Sequence, residues 1–203
     1  DQWLPVLSPE ELARAKSYIL EIDRTLFVAR RAYLRRLLAA YLGIKPAEVG
    51  FRTNAQGKPF LATGGLWFNL SKSGNRVVVA FTRAGEVGVD LEQVHEIPEA
   101  PELAQRWFSE GENAQLDTLP PGKFQTAFFH VWTQKEAYLK ARGEGLSTSL
   151  TSFSVAADPD KPGGLVPTDH EWKMLTMIPD TGWRLAICVR TADQVQLNLI
   201  RQV

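Results

Sequence analysis

Apolar residues that recur every three or four positions predict helices in this chain. The segments with this pattern are 9–20, 24–38, 100–107, a segment that begins at 108–112, and 124–142. The first helix starts at Ser8-Pro9-Glu10-Glu11, which combines a capping hydroxyl, a proline and two acids in the first turn. Gly43 and Pro46 end the second helix, and Gly143 ends the last one, because glycine is common just past a helix end.

Alternation of apolar and polar residues predicts strands in the rest of the chain. The predicted strands are 51–53, 66–71, 76–83, 87–92, 152–156, 172–178, 183–191 and 195–201. The turn Ala84-Gly85-Glu86 predicts that 76–83 and 87–92 pair as a hairpin. Residues 158–164 are rich in Pro, Gly and Asp and predict an exposed loop. The fold class is therefore α+β.

Two short echoes suggest that the chain consists of two similar halves. Residues 31–35 (Arg-Ala-Tyr-Leu-Arg) resemble 136–140 (Glu-Ala-Tyr-Leu-Lys), and 74–80 resemble 182–188. Pro98 and Pro101 mark the middle of the chain. We therefore predict an N-terminal half, 1–97, and a C-terminal half, 98–203, packed as a pseudo-twofold pair with the active site between them.

Charge and composition exclude several classes of protein. The 203 residues carry 23 basic and 23 acidic side chains, and this balance argues against a nucleic-acid or membrane-surface binder. A single cysteine, Cys188, allows no internal disulfide and fits a reducing cytoplasm. No secretory signal is visible, and no apolar run reaches the ~20 residues of a membrane span. Because the chain begins at Asp1 and not at methionine, we expect further residues before it in the natural protein.

A glycine and two carboxylates share one face of the predicted strand 87–92. Val87, Val89 and Leu91 occupy the other face, so Gly88, Asp90 and Glu92 point together. Carboxylates this close repel, which raises the pKa of at least one unless a cation lies between them. The glycine leaves room for a bulky group to approach the backbone. The alternative is a solvent-facing strand end whose acids have no function.

Helical spacing places Trp132, Glu136 and Lys140 on one stripe of the last helix. Alone, Glu136 and Lys140 could form an ordinary surface ion pair. Together with Asp90 and Glu92, Glu136 completes a set of three hard oxygen ligands, which favours Mg²⁺ or Mn²⁺ over zinc. The three histidines, His95, His130 and His170, show no metal-ligand spacing.

Magnesium is commonly held by carboxylates together with substrate phosphates. Candidate phosphate-binding residues are Arg24, Arg30, Lys58, Ser71, Lys72 and Lys140. The basic edge of the second helix, made of Arg24, Arg30, Arg31 and Arg35, could instead be a solvated face. Neither a P-loop nor a Gly-x-Gly-x-x-Gly motif is present, which disfavours those two modes of nucleotide binding.

Five motifs follow one another along the chain: Gly57-Lys58-Pro59, Phe68-Asn69-Leu70-Ser71, Gly88-Val-Asp90-Leu-Glu92, Phe108-Ser-Glu-Gly-Glu112 and Trp132-x-x-Lys135-Glu136-Ala-x-x-Lys140-x-x-Gly143-x-Gly145-Leu146. Together they resemble the 4′-phosphopantetheinyl transferases of the surfactin-synthetase-activating (Sfp) type. Each motif is weak by itself. Their combination and order are specific, and the resemblance covers nearly the whole chain.

The resemblance implies a pseudo-twofold α+β fold that binds coenzyme A between its halves. Asp90, Glu92 and Glu136 would hold Mg²⁺ against the pyrophosphate, and Lys140 would contact the phosphates. The residues expected at the remaining phosphate oxygens are Arg30 and Lys58 for the 3′-phosphate, and Ser71 with Lys72 for the others. Glu136, or a water held by the metal, would take the proton of a carrier-protein serine, whose oxygen attacks the β-phosphate and releases 3′,5′-ADP.

One residue departs from the family pattern. The family usually has histidine where this chain has Lys72. An ammonium group can still donate to a phosphate but cannot act as a neutral imidazole, so we expect phosphate binding to survive and the pH dependence to change. Glu112 could belong to the site or could support the start of a helix, and Lys135 has no assigned role. Phe128, Phe129 and Trp132 are expected in the core.

The resemblance predicts a monomeric cytoplasmic enzyme whose partner is an acyl-, polyketide or peptidyl carrier protein. Two alternatives use the same residues. One is a metal-dependent phosphodiesterase with water as the nucleophile, and the other is a non-catalytic carrier-binding module with a degenerate site. The sequence leaves open which carrier is modified, whether the ion is Mg²⁺ or Mn²⁺, and which group is the base.

Overall fold

A computed structural model describes residues 2–120, 122–145, 148–198 and 200. The helices are α1 (Pro9–Lys16), α2 (Glu21–Leu42), α3 (Ala100–Trp107), α4 (Glu110–Asp117) and α5 (Phe124–Arg142). The strands are β1 (Phe51–Thr53), β2 (Pro59–Leu61), β3 (Trp67–Ser73), β4 (Arg76–Thr82), β5 (Val87–Gln93), β6 (Ser154–Val155), β7 (Leu165–Val166), β8 (Trp172–Met177) and β9 (Trp183–Arg190). The mixture of helices and sheets confirms the predicted α+β class.

Local capping signals set the helix ends. Ser8 and Ser109 each accept a hydrogen bond from the backbone three residues on and form capping boxes with Glu11 and Glu112. Gly143 ends α5 in the left-handed conformation, with φ of 69°. The predicted bounds of α3 and α5 are confirmed to the residue.

Strand pairing differs from the prediction at β4. The predicted hairpin between 76–83 and 87–92 is wrong, because β4 pairs with β3, while β5 pairs with β9 in an antiparallel sheet of order β5-β9-β8. Val78 and Ala80 of β4 pack against the apolar face of the β5–β9 sheet. Strand β4 therefore covers this face and does not extend the edge of the sheet.

Smaller differences concern short strands at the rim. Strands β2 and β7 were not predicted, and β6 is shorter than the predicted 152–156. In the predicted strand 195–201, residues 195–198 and 200 have no regular structure, and the others lie outside the described residues.

Helix α5 occupies the core position of the larger part of the molecule. It packs on β5 and β9, and twelve of its residues are buried. Phe128 and Phe129 are 4% exposed, which confirms their core position, and Trp132 packs against the same cluster. Cys188 is buried in β9.

The described contacts divide the chain into two compact units. The first contains residues 1–52 and 61–63, including α1 and α2, and the second contains 53–60 and 64–203. The carboxylates, the lysines and the cavity described below belong to the second unit. The division into similar halves at residue 97 is a separate statement about repeated topology, and it stays a prediction, as does the pseudo-twofold relation. Among the described residues, no helix combines the length and apolarity that crossing a membrane requires.

Candidate active site

Gly88 allows α5 to lie directly on β5. A Cβ at this position would overlap the carbonyl oxygen of Ala137 and the backbone nitrogen of Ala141, and it would lie 2.9 Å from the Cα of Ala141. The room that the glycine was expected to leave is thus filled by the helix backbone. The close approach brings Glu136 and Lys140 of α5 beside Asp90 and Glu92 of β5.

Asp90 is the centre of the polar contacts between these two elements. Its side chain is almost fully buried, and its Oδ1 accepts hydrogen bonds from Lys140 Nζ at 2.6 Å and from Ser71 Oγ at 2.8 Å. Lys140 Nζ also lies 3.2 Å from Ser71 Oγ. The second oxygen, Oδ2, is buried and has no hydrogen-bond partner among the described residues. An orphaned carboxylate oxygen of this kind is costly unless a further ligand binds it.

The carboxylate cluster, which we define as Asp90, Glu92 and Glu136, is short of positive charge. Burial raises the pKa of all three side chains. Repulsion adds to the effect, because the charge of Asp90 raises the pKa of both glutamates. Lys140 acts in the opposite direction on all three. The predicted grouping of these four residues is thus seen in the structure.

Three polar side chains of β3 reach across to β5. Asn69 Oδ1 accepts from the backbone N–H of Val89, Ser71 donates to Asp90, and Ser73 Oγ donates to Glu92 Oε2 at 2.7 Å. They occupy alternate positions, so one face of the strand carries all three. Ser73 was missed in the sequence because the predicted strand ended at residue 71, whereas β3 continues to Ser73.

Lys58 stabilises the end of α5. Its Nζ donates to the carbonyl oxygens of Ala141, at 2.8 Å, and Val87, at 3.1 Å, and it thereby joins the last turn of the helix to the start of β5. Asn54 supports this arrangement by donating to the carbonyl of Gly143 at 2.7 Å and accepting from the backbone N–H of Lys58. Burial lowers the pKa of Lys58 to about 8.

A cavity of about 340 Å³ lies beside these residues, within the second unit. Its lining comprises Gln56, Gly57, Lys58, Pro59, Asn69, Leu70, Glu136, Leu139, Lys140, Gly143 and Gly145. Two cations and one member of the carboxylate cluster therefore share one concave surface. Such a surface suits a ligand that carries both phosphate and apolar groups.

Lys72 and Arg30 do not take part in the hydrogen bonds described above. Lys72 is exposed and, by alternation along β3, points away from the face that carries Ser71 and Ser73. Arg30 is half-buried on α2, in the first unit. Their predicted contacts with phosphates stay predictions.

The rest of the basic edge of α2 is partly internal. Arg31 and Arg35 both form ion pairs with Glu11, the second at 2.7 Å, and Arg35 also donates to backbone carbonyls at Pro46 and Val49. Arg35 is 3% exposed. These two arginines hold the first unit together, so they are not available as a solvated face.

Glu112 and Lys135, which had no settled role, form a buried ion pair. The carboxylate also accepts from the backbone N–H groups of Ser109 and Val155, each at 2.7 Å. The ammonium donates to the carbonyl oxygens of Leu150 and Phe153, each at 2.7 Å. All of these further hydrogen bonds are made to backbone groups of the fold. They favour a supporting role for Glu112 over a role in the site.

The side chains of the site are of the type that binds a divalent cation, but in the conformation shown they do not surround a position for one. Among the described residues, no group of three or more His, Cys, Asp or Glu side chains is arranged to hold an ion in the conformation shown. Asp90 instead carries Lys140 on one oxygen and leaves the other unpaired. The donors are all carboxylates, the hard ligands that Mg²⁺ prefers, and the unpaired oxygen is a ready position for it.

Comparison with known proteins identifies the family of the chain. The family model described as 4′-phosphopantetheinyl transferase superfamily matches residues 86–188, and the model of the N-terminal region of 4′-phosphopantetheinyl transferase matches 1–84. The 4′-phosphopantetheinyl transferase HetI of Nostoc sp. is 38% identical over 187 residues, which cover 90% of this chain and 78% of that protein. The enzyme psf-1 of Bacillus pumilus is 32% identical, over 97% of this chain and 86% of its own.

The comparisons also find more distant similarities. The 4′-phosphopantetheinyl transferase Sfp of Bacillus subtilis is 27% identical over 95% of this chain and 86% of its own. Among solved structures, the holo-[acyl-carrier-protein] synthase of Thermotoga maritima overlaps 53% of this chain and 64% of its own, at 22% identity and a TM-score of 0.41. That overlap is partial, so the assignment depends on the sequence comparisons. By those comparisons, the chain belongs to the 4′-phosphopantetheinyl transferase superfamily.

Proposed function

We propose that this enzyme transfers the 4′-phosphopantetheine group of coenzyme A to a serine of an acyl- or peptidyl-carrier protein, with Mg²⁺ bound by Asp90, Glu92 and Glu136. The observation that carries the proposal is a cavity lined by Glu136, Lys58 and Lys140, in which Lys140 also contacts the buried Asp90. In the reaction the serine oxygen forms a bond to the β-phosphorus of coenzyme A. The bond from this phosphorus to the bridging oxygen breaks, and 3′,5′-ADP leaves with that oxygen.

The carboxylate cluster would hold the cation, and the unpaired Oδ2 of Asp90 would be its first ligand. A bound Mg²⁺ would supply Lewis-acid neutralisation of the pyrophosphate charge. The three side chains are suited to this task because burial and mutual repulsion already destabilise their ionised forms.

Lys140 would neutralise the phosphoryl oxygens as the phosphorus–oxygen bond breaks. Its side chain is 30% exposed and lines the cavity, so its ammonium group can reach a bound phosphate. Lys58 uses two of its three N–H groups on backbone carbonyls, which leaves one for the 3′-phosphate. Arg30 is proposed as a second contact of that phosphate, and Lys72 as a contact of the pyrophosphate.

Ser71 would act on phosphate only after a change in its own hydrogen bonds. Its hydroxyl proton is donated to Asp90, and Lys140 donates to its oxygen. Contact with a phosphate oxygen requires that proton to turn away from Asp90. In the arrangement shown, Ser71 keeps Asp90 and Lys140 together.

Glu136 is the proposed base. Its raised pKa, caused by burial first and by the charge of Asp90 second, makes it a better proton acceptor than an exposed glutamate. It would accept the proton of the carrier serine as the serine oxygen attacks. A position in the cavity wall gives it access to a second substrate.

Incubation with coenzyme A, Mg²⁺ and an apo-carrier protein tests the proposal. A carrier mass gain equal to phosphopantetheine is expected, and Glu136→Ala should abolish it. Glu102→Ala, at an exposed position of α3, is the matched control and should keep full activity. Full activity of Glu136→Ala contradicts the site assignment.

The same assay separates the remaining alternatives. Cleavage of coenzyme A without carrier modification would indicate a phosphodiesterase, and neither reaction would indicate a non-catalytic carrier-binding module. Fatty-acid, polyketide and nonribosomal peptide carriers, each assayed with Mg²⁺ and with Mn²⁺, would identify the physiological partner and ion.

A further inference from the structure

Lys140 contacts the residue that is proposed to hold the metal ion. The distance from its Nζ to Asp90 Oδ1 is 2.6 Å, and Ser71 bridges the two groups. In the described part of the chain, neither Glu92 nor Glu136 has a basic side chain within ion-pair distance. Lys140 is therefore the internal counter-ion of the carboxylate cluster in the protein alone.

We propose that Lys140 and the divalent cation compete for the carboxylate cluster, so that the metal binds tightly only after coenzyme A has drawn the ammonium group away. This inference rests on the proposed function, because it assumes that the cluster holds the metal. It adds an order to that function: the pyrophosphate and the metal strengthen each other's binding through one lysine.

Electrostatics supports competition. A divalent cation placed on Asp90 while the ammonium stays at hydrogen-bond distance brings like charges within a few ångströms, in a buried setting where screening is weak. Removal of the ammonium would leave three mutually repelling carboxylates and would raise the affinity for any cation.

The side chain of Lys140 can also turn from Asp90 into the cavity. It lies near the end of α5, is 30% exposed and lines the cavity that contains Lys58. A lysine has a flexible four-carbon stem, so its ammonium can turn from Asp90 to a phosphate in the cavity without movement of the helix. By linkage, a ligand that attracts the ammonium must increase metal affinity, and the metal must increase the affinity of that ligand equally.

Mn²⁺ titration followed by electron paramagnetic resonance of the free ion tests the competition without any catalytic readout. The proteins are the wild type, Lys140→Met, Lys140→Arg and Lys161→Met, each at pH 8 with and without coenzyme A, after subtraction of the Mn²⁺ that coenzyme A binds alone. Lys161 is the control because it is an exposed lysine of the loop before β7. Cooperative thermal unfolding of each variant confirms that it is folded.

Without coenzyme A, Lys140→Met should bind Mn²⁺ at least about tenfold more tightly than the wild type, since a like charge at ionic-contact range is removed. Coenzyme A should strengthen Mn²⁺ binding in the wild type and much less in Lys140→Met. Lys140→Arg and Lys161→Met should follow the wild type, because one keeps the charge and the other changes it elsewhere.

Equal or weaker Mn²⁺ binding by Lys140→Met, in the absence of coenzyme A, overturns the competition while the metal site stands. Absence of Mn²⁺ binding in every protein, even with coenzyme A, overturns the metal site and the competition together. If the titrations follow the expectation but no carrier is modified, the proposed reaction fails and the competition stands.

Discussion

Glu112 and Lys135 form an ion pair, with 2.8 Å between Oε1 and Nζ, in which neither side chain is exposed to solvent. The pair joins α4 to α5. The backbone groups that complete its hydrogen bonds are those of Ser109 before α4, Leu150 and Phe153 before β6, and Val155 in β6. Lys135 is the neighbour of Glu136 in the chain. A charge pair with no exposure to solvent therefore fixes the helix on which the proposed base is carried.

Removal of one partner of this pair should be strongly destabilising. In Lys135→Met the buried carboxylate of Glu112 loses its cation, and we expect the free energy of unfolding to fall by about 3–5 kcal/mol. Urea denaturation measures the change. The double variant Lys135→Met/Glu112→Leu should recover much of the loss, because no buried charge remains.

The surface pair of Lys161 with Asp158 supplies the control for this experiment. Lys161→Met removes the same charge at an exposed site and should change stability by less than about 1 kcal/mol. A loss in Lys135→Met no larger than this would contradict the structural role of the buried pair.

The contact of α5 with Gly88 should not tolerate a methyl group. Gly88→Ala would place a Cβ on the backbone of Ala137 and Ala141, and backbone cannot move aside as a flexible side chain can. We expect a loss of at least about 1–3 kcal/mol in urea denaturation, together with loss of transfer activity in the protein that remains folded. The activity is lost because Glu136 and Lys140 move away from β5.

Gly111→Ala is the matched control for Gly88→Ala. Gly111 is an exposed residue of α4, and a Cβ there meets nothing closer than 4.0 Å. The substitution should stabilise the protein by about 0.5–1 kcal/mol, because alanine is a better helix former than glycine. If Gly88→Ala were as stable as Gly111→Ala, the close approach of α5 to β5 would be incorrect.

The success of sequence reasoning depended on whether a feature is local. The capping boxes at Ser8 and Ser109 and the glycine after Arg142 act over three or four residues, and they predicted the starts of α1 and α4 and the end of α5. The predicted end of α1 at residue 20 is wrong, because the helix stops at Lys16. Alternation along residues 87–92 placed Asp90 and Glu92 on one face, and the structure brings Glu136 close enough to them for their charges to raise its pKa.

Long-range pairing could not be predicted in this way. Strand β5 pairs with β9, about a hundred residues later in the chain, and nothing in the local pattern of 84–86 excludes the simpler hairpin with β4. The fully buried position of Lys135 was hidden for the same reason, since its partners come from α4 and from residues after α5. The identity of a residue as lysine does not by itself indicate whether its side chain is exposed or buried.

The carboxylate cluster should lower the free energy of unfolding of the metal-free protein. Because burial raises the pKa of Glu136 in the folded state, this state binds its proton more firmly than the unfolded state, and the associated stability is lost as pH rises through the folded pKa. Glu136→Gln removes this effect. At pH 7.5 in EDTA we expect the variant to be about 1 kcal/mol more stable than the wild type, although inactive.

Urea denaturation between pH 5 and pH 7.5 measures this effect, and Glu102→Gln serves as the control at an exposed site. As pH rises, the stability of Glu136→Gln should increase relative to that of the wild type, whereas Glu102→Gln should follow the wild type. The comparison is made between variants because burial lowers the pKa of His130 to about 4, which adds a contribution of opposite sign to every protein. A Glu136→Gln variant that is less stable than the wild type under these conditions would show that Glu136 supports the fold of the metal-free protein.

The lysine at position 72 should change the pH dependence and leave phosphate binding largely intact. Lys72→His would restore the usual residue of the family and introduce a side chain that titrates near pH 6.5. We expect a new limb in the pH–rate profile of this variant near that pH and a change of only a few-fold in KM for coenzyme A. Lys72→Arg keeps the charge and should retain the wild-type profile. An unchanged profile in Lys72→His would exclude the expected effect on pH dependence.

Lys58 should make the affinity for coenzyme A fall as pH rises above about 8. Burial lowers its pKa to about 8, so the free protein loses the ammonium charge at a pH where an exposed lysine would keep it. For the protein without ligand the sign is opposite: between this value and the ordinary value of 10.5, the unfolded state binds more protons, and stability rises with pH. A 3′-phosphate prefers the charged form, so its binding and the stability of the free protein should move in opposite directions.

Calorimetric titration with coenzyme A from pH 7 to pH 9.5 measures this effect. The wild type should lose affinity above pH 8, whereas Lys58→Arg should not, because a guanidinium remains charged throughout this range. The matched ligand is 3′-dephospho-coenzyme A, which lacks the group that Lys58 is proposed to bind and should show no such decline in either protein. If both ligands lost affinity equally in the wild type, Lys58 would be assigned to the end of α5 alone, where it already holds the carbonyl oxygens of Ala141 and Val87.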